Sequence, residues 1–380
     1  MSRDPTDPTR QPGDNRFPMR QSSHAYKGYN ALLDRFPVIR TRLPIMKLGD
    51  FPTPANRLDA LSAKLKGEIW VKRDDLTAGL YGGNKVRKLE FILADCLQRG
   101  CDGTWTVGGE GSHHLLAVAR FAASEDLRTY AATFPQPLTM HTLQVKRALS
   151  REQICLFPSN GFHDFPLAVF KLLKTANREN KSLYRISAGG SCSLGVLGYV
   201  SAALELAEQV KQGVVPAPDV IVVALGSCST AAGLLLGLEI AGLTCAIHAV
   251  RVTSSAVANR FNIYRLAWDA ALLLARLGVP AVEILENRTM KKGSVKLHIA
   301  GEQLGGGYGH FTRSSKEAER LLIDLEELRL DPTYTGKAVA HLIDRCNKVV
   351  EKKTQCILYW HTLGKLEKES GPGENPRSCL

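Results

Sequence analysis

Short apolar runs of strand character alternate along this chain with longer helical runs. At two places a strand passes through a glycine-rich turn directly into a helix, and a third glycine-rich turn enters a long helix. These two observations predict an α/β fold, a mostly parallel sheet with helices on both faces and a ligand site at the strand carboxyl ends. The length of 380 residues supports one large or two intimately packed domains. The strand-like runs are Ile69–Lys72, Thr104–Val107, Thr129–Phe134, Ile154–Phe157, Val220–Leu225, Ala246–Val252 and Cys356–Trp360. The helical runs are Leu89–Gln98, Leu115–Ala123, Leu194–Lys211, Ala231–Ala241 and Ala338–Val350. Residues 1–40, rich in Pro, Arg, Asp and Ser with little periodicity, read as a flexible arm or a wrapped extension. The polar stretch 365–380 reads as a disordered tail.

Composition narrows the function classes. Apolar residues make up 44% and charged residues 23% of the chain, as in an ordinary globular enzyme. No apolar run reaches the roughly 18 residues a membrane span needs, and no signal-peptide core follows Met1, so the expectation is a cytoplasmic protein. The nine cysteines are scattered, without C-x-x-C spacing or histidines at zinc-site intervals. They read as buried free thiols, and no metal is expected. The net charge of +12 invites a nucleic-acid reading, but the basic residues are dispersed and no basic–aromatic motif accompanies them. A basic site for an anionic cofactor and substrate accounts for part of that charge.

The most informative stretch is Gly82-Gly83-Asn84-Lys85-Val86-Arg87-Lys88. It places Lys85 on a glycine-rich turn, with cations at +2 and +3 leading into a helix. A lysine so held can form a Schiff base with an aldehyde, and the neighbouring cations can hold a phosphate; pyridoxal phosphate carries both groups. A solvated basic turn that caps a helix fits the heptapeptide equally well.

Three glycine-rich turns bear on that choice. Val220–Leu225 leads through Gly226-Ser227-Cys228-Ser229-Thr230 into a helix, where small residues, hydroxyls and unpaired N–H groups can receive an anion. A well-capped βα turn is the competing description, and neither the dinucleotide glycine spacing nor a Walker lysine is present. Gly108-Gly109-Glu110-Gly111-Ser112-His113-His114 repeats the arrangement, with Ser112 as cap and hydroxyl donor for a carboxylate. The adjacent His113 and His114 point in different directions and make a poor chelating pair. The third turn, Ser187–Gly195, enters a long helix. Together with the Gly-Gly-Asn-Lys turn, the three junctions point to one assembled site.

These segments, in order from about Leu48 to Gly364, resemble the 1-aminocyclopropane-1-carboxylate deaminase/D-cysteine desulfhydrase family of fold type II pyridoxal-phosphate enzymes. The matching stretches include Phe51-Pro52-Thr53-Pro54, Val71–Leu76, Gly82–Glu90, Val107–His114, Ala188–Gly198 and Gly226–Gly233. They continue with Gly307-Tyr308-Gly309, Asp331–Lys337 and His361-Thr362. The resemblance implies two open, twisted, mostly parallel-sheet domains with the active site in the cleft between them. A large cofactor-binding domain would comprise 41–97 with 196–364, and a small substrate-side domain 98–195. It implies that Lys85 is the Schiff-base lysine, preceded by Asn84, and that Lys88 with Gly226, Ser227, Cys228, Ser229 and Thr230 holds the phosphate. Ser112, with His113 and His114 beside it, would bind the substrate carboxylate. Tyr308 and Tyr334 would stand next to the substrate and act in catalysis, and Thr335 would face the pyridine nitrogen. A homodimer acting on a small amino acid is the implied assembly.

Thr335 separates the branches of the family. The deaminases resemble one another in carrying Glu here, which keeps the pyridine nitrogen protonated, whereas Thr335 carries no charge. The weaker electron sink suits loss of a good β-leaving group such as a thiol better than opening of a cyclopropane ring. The expectation is therefore β-elimination of D-cysteine or a related β-substituted amino acid to a 2-oxo acid and ammonia. An aminocyclopropanecarboxylate deaminase or a catalytically degenerate cofactor-binding paralogue are the alternatives. The alternatives rest on three departures. His113 stands where the family has an Asn that bonds the cofactor's phenolic oxygen, Cys228-Ser229 replaces Gly-Gly in the phosphate turn, and Leu363-Gly364-Lys365 follows His361-Thr362 in place of Gly-Gly.

Overall fold

The computed structural model describes residues 26–161, 163–283, 295–348 and 355–364. Two open sheets form its frame. Six strands, β1 (Ala55–Arg57), β2 (Glu68–Arg73), β7 (Val220–Leu225), β8 (Ala246–Arg251), β9 (Lys296–Ala300) and β10 (Cys356–His361), lie in the order β1-β2-β10-β7-β8-β9. All neighbours are parallel except β1, which pairs antiparallel with β2. The second sheet holds β3 (Gly103–Gly109), β4 (Arg128–Phe134), β5 (Ile154–Pro158) and β6 (Leu183–Arg185), all parallel, in the order β5-β4-β3-β6. The α/β expectation stands, and each predicted strand is present within one or two residues. β7 is buried along nearly its whole length, as its unbroken apolar sequence requires of a parallel strand covered on both faces.

Four helices position the site. They are α3 (Lys85–Gln98), α4 (His113–Ala123), α7 (Ser193–Lys211) and α8 (Ser229–Ala241). Each begins earlier than its apolar run suggests, because the opening residues are polar and their role is to present a helix end. Lys85 is thus the first residue of a helix rather than part of a turn. The amphipathic α5 (Met140–Leu149), α6 (Phe165–Arg178), α9 (Arg260–Arg276) and α10 (Arg313–Glu326) have no counterpart in the sequence reading, and α11 (Thr335–Lys348) starts three residues before its apolar stretch. Two shorter helices, α1 (Ala31–Arg35) and α2 (Asp59–Leu65), complete the helices named here.

Part of the expected N-terminal arm is packed structure. Asn30 caps α1 by accepting from the Leu32 and Leu33 amides, and Leu32, Leu33 and Ile39 are fully buried in the main core. The apolar pairs, not the surrounding charge, decide this segment. The remainder of the expected arm, residues 1–25, and the expected tail, residues 365–380, lie outside the described residues. The eight cysteines within the described residues are all free.

Candidate active site

The turn before α3 is shaped by contact with the chain's last described strand. Gly83 has φ of 99°, and a side chain there would meet the Gly364 amide nitrogen at 2.7 Å and the Thr362 carbonyl at 3.0 Å. Only glycine satisfies both demands. The Asn84 amide donates to the Thr362 carbonyl (3.2 Å), which fixes where α3 begins. From that start, Lys85 and Lys88, one turn apart, face a cavity of about 620 Å³.

The cavity is walled by all three glycine-rich junctions. Its lining includes Gly108, Gly109, Ser112, His113 and His114 after β3. Ala188 and Gly189 come before α7, and Gly226, Ser227, Cys228 and Thr230 after β7. Asn84, Lys85, Lys88, Tyr308, Asp331 and Tyr334 add further polar groups to the lining. Among the expected site residues, Ser229 and Thr335 stand immediately behind this wall.

Lys85 Nζ is 2.8 Å from Asn84 Oδ1. Burial pulls its ammonium down to about 8, against the opposing charge of Asp331. An amine so poised is available in its neutral, nucleophilic form near physiological pH. Lys88 donates to Ser229 Oγ (2.8 Å) and to the Gly189 carbonyl (3.2 Å), and burial, reinforced by Lys85, depresses its affinity for a proton strongly. Among the described residues Lys88 makes no ion pair. A buried cation held by neutral oxygens is incompletely compensated, and an anion completes it.

The Gly226–Thr230 turn supplies the rest of an anion cradle. Ser191 Oγ donates to the Ser227 carbonyl (2.7 Å) and stands 2.9 Å from Ser229 Oγ. Asn84 Nδ2 donates to Thr230 Oγ1 (3.2 Å). Gly189, with φ of 66°, lies so near Ser227 that a side chain would overlap its hydroxyl. Cys228 adopts the left-handed conformation (φ 72°) as the residue that opens α8. Glycine takes that conformation without cost, so cysteine here holds the turn under strain, and its thiol points out to the Val257 carbonyl (3.3 Å). These residues fit the phosphate, and Lys85 the aldehyde, of pyridoxal phosphate.

On the facing wall, Ser112 caps α4 by accepting from the His114 amide (3.2 Å). The helix N-terminus therefore opens into the cavity, suited to a carboxylate. His114 contacts Thr106 Oγ1 through Nε2 (2.9 Å), while its buried Nδ1 has no partner. His113 is fully engaged. Its Nδ1 meets Tyr81 Oη, and its Nε2 lies 2.6 Å from His141 Nε2. It offers a ligand oxygen no free nitrogen unless one of these bonds opens.

Tyr334 Oη donates to Tyr308 Oη (2.6 Å), the rings meeting edge to face. Burial raises both phenols, and the bond from Tyr334 works the other way on Tyr308, making Tyr308 the more acidic partner. The Thr335 hydroxyl donates to Asp331 Oδ1 (2.6 Å) and accepts the Asp331 amide (2.7 Å). Asp331 also accepts the amides of Thr333, Tyr334 and Thr335, and although burial opposes ionisation, His141, His113 and these bonds hold its carboxyl below the usual range. The uncharged Thr335 thus has a carboxylate directly behind it.

Sequence reasoning passed over Asp331 and His141. Asp331 was visible within Asp331-Pro332-Thr333-Tyr334 as a capping residue before a helix, whereas nothing local marks His141. Also unread was the charge cluster on the far side of α3. There Arg87 pairs with Asp74 (2.8 Å) and Glu205 (2.9 Å), Lys72 pairs with Glu205 (2.5 Å), and all four side chains are buried.

The comparisons agree with this geometry. The sequence profile of the family described as pyridoxal-phosphate dependent enzyme matches residues 46–359. The D-cysteine desulfhydrases of Salmonella newport (strain SL254) and Salmonella heidelberg (strain SL476) are each 33% identical over 329 residues, covering 85% of this chain and 95% of theirs. A solved structure titled as an ACC deaminase homologue superposes with a TM-score of 0.69 at 31% identity, covering 86% of this chain and 93% of its own. The processed threonine deaminase isoform 2 of Solanum lycopersicum shares the fold at 12% identity, with a TM-score of 0.59 over 92% of this chain and 90% of its own. No helix among the described residues is long and apolar enough to cross a membrane. The chain belongs to the family of pyridoxal-phosphate dependent enzymes, in its fold type II α/β architecture.

Proposed function

We propose that this protein is a lyase that eliminates the β-substituent of D-cysteine, or of a related small amino acid, releasing a 2-oxo acid and ammonia. The observation that carries the reading is the joint placement in one cavity of the neutral-tuned amine of Lys85, the uncompensated cation of Lys88 and the α4 N-terminus behind Ser112. When bound, pyridoxal phosphate supplies the electron sink for carbanion chemistry at the amino-acid α-carbon.

The chain's own residues supply binding and proton transfer. Lys88 and the Gly226–Thr230 turn bind the phosphate, and Asn84 steadies the Lys85 amine and the Thr230 hydroxyl. Ser112, with His114 behind it, orients the substrate carboxylate at the α4 N-terminus, which fixes the α-carbon relative to Lys85. Lys85 moves the α-proton, and Tyr308, made the more acidic phenol by Tyr334, serves a substrate of the other chirality. Thr335 would face the ring nitrogen of the bound cofactor. In this reading the segments 41–97 and 196–364 hold the cofactor, 98–195 forms the substrate side, and the working form is a cytoplasmic homodimer.

The test is a panel assay on cofactor-loaded protein with D-cysteine, L-cysteine, β-chloroalanine enantiomers and aminocyclopropanecarboxylate. We expect sulfide and 2-oxo acid from D-cysteine above the rest. The desulfhydrase assignment fails if aminocyclopropanecarboxylate is the preferred substrate. The whole reading fails if added cofactor gives no visible band and borohydride leaves no adduct on Lys85.

A further inference from the structure

One hydrogen-bonded chain, which reaches the pocket wall at His113, has no part in the scheme above. It runs from Tyr81, in the loop between β2 and α3, through His113 at the start of α4, to His141 on α5. Its three members come from separate elements, so no local sequence preference explains their meeting. Tyr81 is buried, and the carbon bearing its hydroxyl is, with the Gly82 carbonyl oxygen, what a side chain on the cavity-lining Gly364 would meet at 2.6 Å. His113 lines the cavity, and His141 is partly exposed.

The bonding leaves little freedom. Two Nε2 atoms 2.6 Å apart share one proton between neutral rings. If Tyr81 donates to His113 Nδ1, then His113 must carry its proton on Nε2 and donate to His141, whose own proton sits on Nδ1. In the opposite polarity His141 Nε2–H donates to His113, and His113 Nδ1–H donates to Tyr81. Both arrangements satisfy every bond, and both leave the rings uncharged.

We propose that Tyr81, His113 and His141 form a proton relay between the pocket and solvent, with His141 as its outer member. In one passage Tyr81 oxygen takes a proton from a group in the pocket and gives its own to His113 Nδ1. The His113 Nε2 proton moves to His141 Nε2, and the His141 Nδ1 proton leaves to water. One proton crosses, no heavy-atom bond changes, and no charge is left behind. The charged groups around the chain are Asp331 beside both histidines, Lys85 beside His113 and Arg120 over the Tyr81 ring. Burial first, and His141 second, pull the His113 imidazole down to about 3, which keeps it neutral while it carries protons.

The inference rests on the proposed reading of the cavity as a reaction site, and the test separates the two. In ¹⁵N-histidine NMR of the holoenzyme, His113 and His141 should show neutral rings whose tautomers change together. His141→Gln keeps a hydrogen bond to His113 but cannot take a proton on one atom and release it from another. It should leave the melting temperature and KM near wild type, lower kcat by roughly 10- to 100-fold, and turn a curved proton inventory in H₂O/D₂O mixtures linear. His141→Phe should repeat the kinetic effect. Uncorrelated tautomers, or a His141→Gln enzyme with wild-type kcat and an unchanged inventory, overturn the relay while leaving the lyase reading intact. Absence of turnover by wild-type enzyme across the substrate panel overturns the lyase reading, and the NMR correlation still decides whether the chain is coupled.

Discussion

Helix α3 presents cations to two buried environments that treat them oppositely. Arg87 faces a closed cluster in which two cations, Lys72 and Arg87, meet two carboxylates, Asp74 and Glu205, with Tyr199, Trp360, Thr53 and Gln209 supplying further bonds. Lys85 and Lys88, on the other face, are equally sequestered, yet among the described residues their hydrogen-bond partners are neutral oxygens, and Lys88 has besides only the face of the Tyr199 ring. The first region is finished as it stands and braces the helix. The second is electrostatically incomplete, which is what a protein must tolerate where it intends to bind an anion and use an amine. The position of a cation on the helix, rather than its burial, separates scaffold from chemistry.

The largest expected effect comes from removing the amine. Lys85→Ala should lower turnover by about 10²–10⁴-fold, the range for loss of a positioned proton-transfer group, and should eliminate the borohydride-fixed adduct seen by mass spectrometry. Its fold should persist, since Lys85 braces nothing. Arg87→Met should do the reverse. It leaves Asp74 and Glu205 buried without their shared cation, costing about 3–5 kcal/mol in chemical denaturation. Whatever enzyme stays folded should still form the adduct. Equal stability losses in the two variants would dissolve the distinction.

Lys88→Met sharpens the comparison because its sign depends on loading. In cofactor-free protein the substitution removes an uncompensated buried charge and should raise stability. In the loaded protein it removes a charge-assisted bond of about 1.5–3 kcal/mol, raising the Kd for pyridoxal phosphate by roughly 10- to 150-fold. Equilibrium dialysis and paired melts with and without cofactor measure both. A destabilised cofactor-free Lys88→Met would mean that the cation is already satisfied.

How much of this was readable in the sequence follows from the range of the interactions. The β7 strand, the three glycine junctions and Lys85–Lys88 were legible because each is encoded within about ten consecutive residues. The departure at Cys228 was also legible, and the left-handed backbone there explains why glycine would suit that position. The amphipathic helices α5, α6, α9 and α10 were missed because their apolar positions are interleaved with charge. The Arg87–Glu205 and His113–His141 pairs join residues 118 and 28 positions apart, where no periodicity helps. The expectation for Thr335 took account of its lack of charge and not of its surroundings. Its hydroxyl proton is committed to the carboxylate of Asp331, four residues upstream in the turn that caps the helix.

The smallest effect, and the finest probe of the contrast, is the pH dependence of stability. The Lys85 ammonium titrates at about 8 in the folded protein against its ordinary 10.5. Below pH 8 both folded and unfolded chains carry the proton, and the folded state bears the full penalty of burying it. Between about 8 and 10.5 the unfolded chain binds more proton, so the penalty is relieved and stability rises with pH, by at most about 1.4 kcal/mol per unit. Lys337, also drawn down to about 8 by burial, adds a similar rise of its own, so the contribution of Lys85 is the difference between wild type and Lys85→Ala. In cofactor-free protein that difference should favour Lys85→Ala at pH 7 and shrink toward pH 10.5. Arg87 has no counterpart in this window, because although burial opposes its charge, Asp74 and Glu205 hold it well above its usual range. Denaturant titrations at pH 7, 8, 9 and 10 measure the difference directly. Parallel stability curves for wild type and Lys85→Ala would show that the amine enters the fold as fully compensated as Arg87 and lacks the neutral poise on which the chemistry depends.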